Sequence, residues 1–360
     1  MVKLNKFLEG NRTYKKPHRS FKLDGVSYDN PGLSLLAEVY TKGSDDYLFS
    51  LGIFIQKWVD PNSKISLQTS GSTGIPKNFL ISKQSMVNSA LATGSYFKLS
   101  PGDSALSCLP FNYIAAKMMF VRAYVLGLEL DCIKPSSSPL KSLSKFYIFC
   151  AMVPLQLEKS IKYLHQIKIL IVGGAPLSTA LMEKLKSSDS NVYETFGMTE
   201  TVSHIAVKNI KKSFSLFQVL PSISISVDAR GCLLIKAPKL FSNSINTNDL
   251  VQLRSKTTFE WIGRFDEIIN SGGIKISPEQ LEQQLKGIIK NRFFISSQKN
   301  TRLGSIVILI IESTVPYQHL DFTFITPLKR PKQVYYVDNF IETPSGKVKR
   351  KETLALVKLV

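Results

Sequence analysis

A chain of 360 residues exceeds what one hydrophobic core usually supports, so two domains are expected, and 44% hydrophobic content is that of an ordinary globular protein. The formal net charge of +19 comes from lysines spread along the chain. No Arg-rich run interleaved with aromatics and no nucleic-acid motif occurs, which argues against nucleic-acid binding and leaves two readings: a cationic field favouring anionic ligands, or a lysine-rich proteome without functional meaning.

Cys108, Cys132, Cys150 and Cys232 stand far apart in apolar runs and read as buried, reduced thiols. His18, His165, His204 and His319 lack metal-ligand spacing. The N-terminus is too polar for a signal peptide and no apolar stretch reaches membrane-spanning length, so a cytoplasmic protein without stable membrane insertion is expected.

In chain order, Asn30-Pro31 opens a candidate helix with Leu33, Leu35, Leu36, Val39 and Tyr40 at its apolar positions, and Asp46 to Val59 offers a second. Between the strand-like runs Lys64-Ile65-Ser66 and Phe79-Leu80-Ile81 lies Leu67-Gln68-Thr69-Ser70-Gly71-Ser72-Thr73-Gly74-Ile75-Pro76-Lys77. Gly71 and Gly74 admit positive φ, the hydroxyls and backbone N–H groups offer donors to phosphate oxygens, and Lys77 adds a charge. This is not a Walker A loop, because Pro76 separates Gly74 from the lysine and Asn78 follows. Ser82 is placed as the cap of a helix running to about Tyr96.

Ser104 to Leu109 reads as a buried strand, followed by Phe111-Asn112-Tyr113-Ile114-Ala115-Ala116-Lys117-Met118-Met119, an apolar helix to Leu126 and a strand from Leu128 to Ile133. That order fits a βαβ unit with its ligand loop at the carboxyl end of the first strand. Lys117 in this apolar run is either a snorkelling surface lysine or a cation facing an anionic substrate. A strand from Phe146 to Ala151 and a helix from Leu155 to Leu164 follow. Ile167 to Val172 reads as a central parallel strand, Gly173-Gly174-Ala175 lets a flat ligand lie against the backbone, and Ser178 caps the next helix. Val192 to Thr201 then gathers Tyr193, Phe196, Gly197, Thr199 and Glu200, and a carboxylate such as Glu200 is a natural hard ligand for Mg²⁺.

Short strands are placed at Ile223 to Val227, Cys232 to Ala237 and Val251 to Leu253, with Asn246-Thr247-Asn248-Asp249 between the last two. Gly263-Arg264-Phe265-Asp266 comes next, then Ser271-Gly272-Gly273 and a helix capped by Ser277 with Pro278 in its first turn. The remainder reads as compact α+β, with a strand from Ser305 to Ile311, an extended Val334 to Tyr336, and the basic turn Thr343-Pro344-Ser345-Gly346-Lys347.

These motifs, in this order over roughly residues 65 to 350, resemble those of the adenylate-forming superfamily of acyl-CoA and aryl-CoA ligases, adenylation domains and luciferases. The resemblance implies an α/β fold with a large N-terminal AMP-binding domain over 1–264 and a small mobile α+β domain over 265–360. It implies ATP, Mg²⁺ and CoA as cofactor and cosubstrates. Thr69, Ser70, Gly71, Ser72, Thr73, Gly74 and Lys77 are then the phosphate loop, and Gly173, Gly174 and Ala175 the adenine platform. Tyr193 or Phe196, next to Gly197, stacks near adenine, Thr199 meets the α-phosphate and Glu200 holds Mg²⁺. Asp249 takes the ribose hydroxyls, although Asn248 stands where the family has glycine. Arg264 meets the ribose, Asp266 is the hinge, Gly272 and Gly273 line the CoA channel, and Lys347 is the catalytic lysine.

The few residues ahead of the hydroxyl loop, with the element Tyr113 to Met119, are similar to a short form of the o-succinylbenzoate-CoA ligases of menaquinone synthesis. Many relatives carry a histidine where Asn112-Tyr113 stands. A dicarboxylate substrate needs a cation for its second carboxylate, and Tyr113, Lys117 and His204 are assigned to the acid, the last two as that cation. A ligase for another aryl or short acyl acid, one loading a carrier-protein thiol, and a nucleotide-binding relic without catalysis stay open, as does assembly into a homo-oligomer.

Overall fold

The computed structural model describes residues 12–69, 77–212, 216–342 and 348–357. By internal packing the chain falls into two units, Met1–Ser224 with Lys236–Ile245, and Ile225–Ile235 with Asn246–Val360. The 264/265 boundary drawn from the Gly-Arg-x-Asp motif lies inside the second of these.

In the first unit a short hairpin of β1 (Lys22–Leu23) and β2 (Val26–Ser27) precedes two helices. Asp29 caps α1 (Asn30–Lys42) by accepting from Gly32 N, and Asp45 caps α2 (Asp46–Val59) by accepting from Tyr47 N and Leu48 N. Each such cap is worth about 1 kcal/mol. The apolar face expected of α1 is only half used: Leu33 and Ala37 are buried, while Leu35 and Val39 are 65% and 67% exposed. The reason is α2, which takes the Ala37 side at close range. Gly52 makes that approach feasible, because a Cβ there would lie 3.0 Å from Ala37 O.

Strands β3 (Lys64–Thr69) and β4 (Lys77–Ser82) pair antiparallel with Thr69 opposite Lys77. Ser82 is the residue before α3 (Lys83–Phe97), as expected, but its hydroxyl makes no cap bond. The stronger anchor is Lys83, fully buried, with Nζ 2.7 Å from both the carboxylate and the carbonyl oxygen of Asp60. It ties the end of α2 to the start of α3.

The sheet of this unit is built on β5 (Ser104–Ser107), β6 (Glu129–Cys132), β7 (Tyr147–Met152), β8 (Ile167–Val172) and β9 (Asn191–Gly197), all parallel, in the order β9-β8-β7-β5-β6. Helix α4 (Ile114–Leu126) connects β5 to β6 and completes the expected βαβ unit. Antiparallel β10 (His204–Asn209) and β11 (Phe217–Val219) extend the sheet beyond β9. Alternation sorts the side chains: Leu106, Cys150, Leu170 and Val192 point into one cluster with Leu157, Leu164, Leu181 and Leu185. Phe149 and Tyr193 point the other way, onto Phe97 of α3. The helix expected over Leu155 to Leu164 is α5 (Pro154–Ser160) followed by a tighter 3₁₀ turn, Ile161–Gln166. Ser178 caps α6 (Thr179–Lys186) by accepting from Leu181 N.

The second unit has two sheets. One runs β12 (Ser224–Val227), β13 (Cys232–Lys236), β14 (Ile245–Leu253), β15 (Thr258–Arg264). The other orders β17 (Ile274–Ile276), β16 (Ile269–Ser271), β19 (Gly304–Glu312) and β18 (Phe293–Asn300), with β20 (Gln333–Val337) parallel to β19. Strand β19 is buried on both faces. Val307, Leu309 and Ile311 pack with Leu281 and Leu285 of α7 (Pro278–Leu285), while Ile308 and Ile310 pack with Phe294, Phe340 and Val357, the last just past α8 (Arg350–Leu356). Ser277 caps α7 as expected, accepting from Gln280 N.

Candidate active site

In the first unit the site elements gather at the carboxyl ends of β8 and β9, where open α/β sheets bind ligands. Strand β8 ends in Gly173-Gly174-Ala175, and Gly174 has φ +92°, a backbone form that side chains resist. Gly173 faces the Thr195 hydroxyl so closely that no side chain fits there. Thr195 in turn donates to Val172 O at 3.1 Å. The turn is thus bare backbone at its two glycines and half-exposed to exposed.

Glu194, which sequence reasoning passed over, fixes this platform to its neighbours. Its buried carboxylate pairs with Lys208 Nζ on β10 at 2.5 Å and accepts from Leu177 N at 3.3 Å. Tyr193 stands beside it, half-buried, with its ring edge on Phe97 at 5.0 Å, and burial pushes its phenol pKa up. Phe196 packs on Phe217 at 5.7 Å. A Cβ on Gly197 would sit 2.6 Å from His204 Cα, so glycine is needed where β9 meets the irregular start of β10.

Thr199–Thr201 forms a 3₁₀ turn locked by the Thr201 hydroxyl, which accepts from Met198 N at 2.9 Å and lies 2.8 Å from Ser203 O as donor. The turn closes on Val202 with φ +69°, a conformation a β-branched residue adopts only under constraint. Glu200 is exposed on this turn and, among the described residues, has no ion-pair partner. A free carboxylate of this kind fits Mg²⁺, which takes one or two carboxylates and keeps water or phosphate for the rest. No cluster of three or more His, Cys, Asp or Glu side chains able to hold a metal by themselves occurs among the described residues.

Arg122, on the fourth helix, is 2% exposed and has no carboxylate partner among the described residues. Its Nη2 donates to Ser203 Oγ at 2.8 Å and lies 3.3 Å from His204 Nδ1, while Nε donates to Thr93 Oγ1 at 3.4 Å. Burial lowers the guanidinium pKa, yet arginine stays charged at neutral pH. His204 is pushed well below the usual imidazole range by burial and by Arg122. Both influences favour its neutral form, while Arg122 beside it keeps its charge. Arg122 is the one charge inside Met118 to Leu126.

Tyr113 is exposed at the N-cap of α4, and Lys117 is half-buried, donating to Asn112 O at 3.3 Å. Thr69 and Lys77 face each other at the ends of β3 and β4, which brackets the hydroxyl loop. Ser70, Gly71, Ser72, Thr73, Gly74 and Lys347 lie outside the described residues.

In the second unit β14 and β15 place Asp249 opposite Arg264. Asp249 is buried and accepts from Trp261 Nε1 at 2.9 Å, while Arg264 approaches its other oxygen only to 3.9 Å. Arg264 instead holds Asp266 through two bonds of 3.0 Å, and that guanidinium draws the Asp266 pKa down. Asn248, in place of glycine, accepts from Arg230 Nη1 at 3.0 Å. Gly272 and Gly273, with φ +57° and +80°, make the exposed turn between β16 and β17.

Residues 26–227 match the family described as AMP-binding enzyme. The chain belongs to this family. This AMP-binding enzyme is 24% identical over 332 residues to the 2-succinylbenzoate–CoA ligase of Listeria monocytogenes, covering 83% of this chain and 71% of the relative. It is 25% identical over 312 residues to the Haemophilus influenzae protein of the same name, covering 79% and 68%. Among solved structures, an acyl-CoA synthetase (AMP-forming)/AMP-acid ligase II-like protein from Dyadobacter fermentans is 33% identical, with a TM-score of 0.61 over 90% of this chain and 98% of that one. The o-succinylbenzoate coenzyme A synthetase of Bacillus subtilis, solved with ATP and magnesium ion, has a TM-score of 0.71 at 18% identity over 89% and 81%.

Proposed function

We propose that the chain is an acid–thiol ligase that activates a carboxylic acid with ATP and passes the acyl group to CoA, with o-succinylbenzoate as the acid. In the first step a carboxylate oxygen attacks the α-phosphorus, forming the C–O–P anhydride of acyl-AMP and expelling pyrophosphate. In the second the CoA sulfur attacks the acyl carbon, forming the thioester and releasing AMP. The observation that carries the reading is the grouping of the Gly173-Gly174 platform, the Tyr193 strand and the Thr199–Glu200 turn at the ends of two adjacent parallel strands. Relatives named for 2-succinylbenzoate support the choice of acid.

A carboxylate is a poor nucleophile and the triphosphate repels it, so the site must cancel charge and align the reactants. Thr199 is assigned to the α-phosphate, the loop from Thr69 to Lys77 to the outer phosphates, and Lys347 to the anions where they meet. Glu200 would hold Mg²⁺, which supplies charge neutralisation on the phosphates when bound. Asp249 and Arg264 are assigned to the ribose. Arg122 is our assignment for the acid's second carboxylate, with neutral His204 and Ser203 orienting its guanidinium. Asp266 is the hinge about which the part beyond Arg264 turns between the two steps, and Gly272 and Gly273 are assigned to the thiol channel.

The test is pyrophosphate release with a panel of acids, followed by chromatography of the CoA product. Release with o-succinylbenzoate above benzoate and fatty acids is expected, with o-succinylbenzoyl-CoA as product. Release with no acid would leave only a nucleotide-binding relic, and release with another acid would move the substrate assignment.

A further inference from the structure

A cavity of about 370 Å³ lies beside α2, β3 and the loop that leads into α4, lined among others by Phe49, Phe54, Lys57, Ser66, Asn112 and Lys117. None of the roles assigned above accounts for Lys57. Both lysines reach this one cavity, and among the described residues neither has a carboxylate within ion-pairing distance. Lys117 stands in the first turn of α4, which carries no acidic residue and whose N-cap residue Tyr113 makes no capping bond. The helix dipole disfavours a cation there. Burial, and then Lys57, lower the Lys117 pKa to about 8. Two cations lining one cavity without a counter-ion are relieved by an anion of matching charge.

We propose that this cavity is a dianion subsite that takes a phosphomonoester, with Lys57 and Lys117 on its oxygens and Ser66 and Asn112 as neutral donors. The charge argues for this class. A phosphomonoester concentrates about −1.5 to −2 on one group at neutral pH, whereas a phosphodiester, or each carboxylate of a dicarboxylate, carries a single charge. Two sources share that chemistry: the 3′-phosphate of CoA and free inorganic phosphate. The choice of CoA rests on the ligase reading. It also separates free CoA from a carrier protein, whose phosphopantetheine arm is a diester.

The test reads the lysines directly, without turnover. The full chain is acetylated with acetic anhydride at pH 8 and Lys117, Lys57 and exposed Lys168 are followed by peptide mass spectrometry. Lys117 should label faster than Lys168 in the free protein. A dianion beside it raises its pKa by about one unit or more, so saturating CoA should slow its labelling about fivefold while Lys168 is unchanged. Protection by CoA but not by 3′-dephospho-CoA or inorganic phosphate assigns the CoA phosphate, and protection by inorganic phosphate alone assigns the free ion. Equal protection by CoA and 3′-dephospho-CoA, protection by o-succinylbenzoate only, or none at all would overturn the proposal. In the CoA case Lys57→Gln should raise the Kd for CoA about tenfold, the loss of one charge-assisted bond, and an unchanged Kd counts against it. Pyrophosphate release measured on the same samples reports the ligase reading separately.

Discussion

Arg122 keeps a full positive charge in the buried half of α4, with only hydroxyls, an imidazole and a thioether for company. A charge so placed is a net cost to folding unless something outside the chain repays it. Arg122→Met should therefore leave urea stability nearly unchanged or raised. The same variant should raise KM for o-succinylbenzoate about 100-fold, the worth of a buried charge-assisted bond, and leave KM for benzoate unaltered. Equal losses on both acids would reduce the residue to packing. At Lys347 the expectation is a split: Lys347→Ala should lose acyl-AMP formation about 100-fold or more yet still convert supplied acyl-AMP to thioester. Residue type alone does not separate His204 from Arg122 as candidates for this cation. Ionisation depends on burial and neighbours, and neither is readable from residue type. Glycines were easier, because Gly173 and Gly174 carry their backbone requirement in their identity.

Elements were legible wherever local pattern decides them. Parallel β8, its glycine turn and the caps at Ser178 and Ser277 followed from hydrophobic runs and capping chemistry. What failed was tertiary in origin, as at Leu35 and Val39, whose exposure is set by the approach of α2, and at Ser82, where buried Lys83 secures the helix start. Gly197→Ala should destabilise the fold by about 2 kcal/mol, since the added methyl meets backbone across β9 and β10, and should displace the Thr199–Glu200 turn. Urea unfolding and pyrophosphate release would register both effects. Glu279 at the start of α7 gives an element a pH response. Burial, opposed by its local hydrogen bonds and by Arg350 but aided by Glu267, raises its pKa to about 7. An acid whose folded pKa lies above its unfolded one subtracts stability as pH rises from near 4.5 through 7. Glu279→Gln should accordingly raise Tm at pH 8 and leave it unchanged at pH 4, and the opposite order would refute the burial argument.

For the whole molecule, Asp266→Pro should retain acyl-AMP formation and lose CoA transfer, and unimpaired transfer would remove Asp266 from the hinge role. The cationic surface predicts a kinetic effect too: kcat/KM for CoA should fall as salt is raised, because the field that steers an anion is screened beyond about 10 Å at 0.1 M. An α/β architecture was legible from the alternation of strand and helix, whereas the path of the chain between its units was not. That path has a consequence for biogenesis. The chain leaves the first unit at Ser224, returns for Lys236–Ile245 and leaves again. A nascent polypeptide emerging from the ribosome cannot finish its leading half until residue 245 is clear of the exit tunnel, by which time the opening strands of the trailing half are already outside and waiting for partners not yet translated.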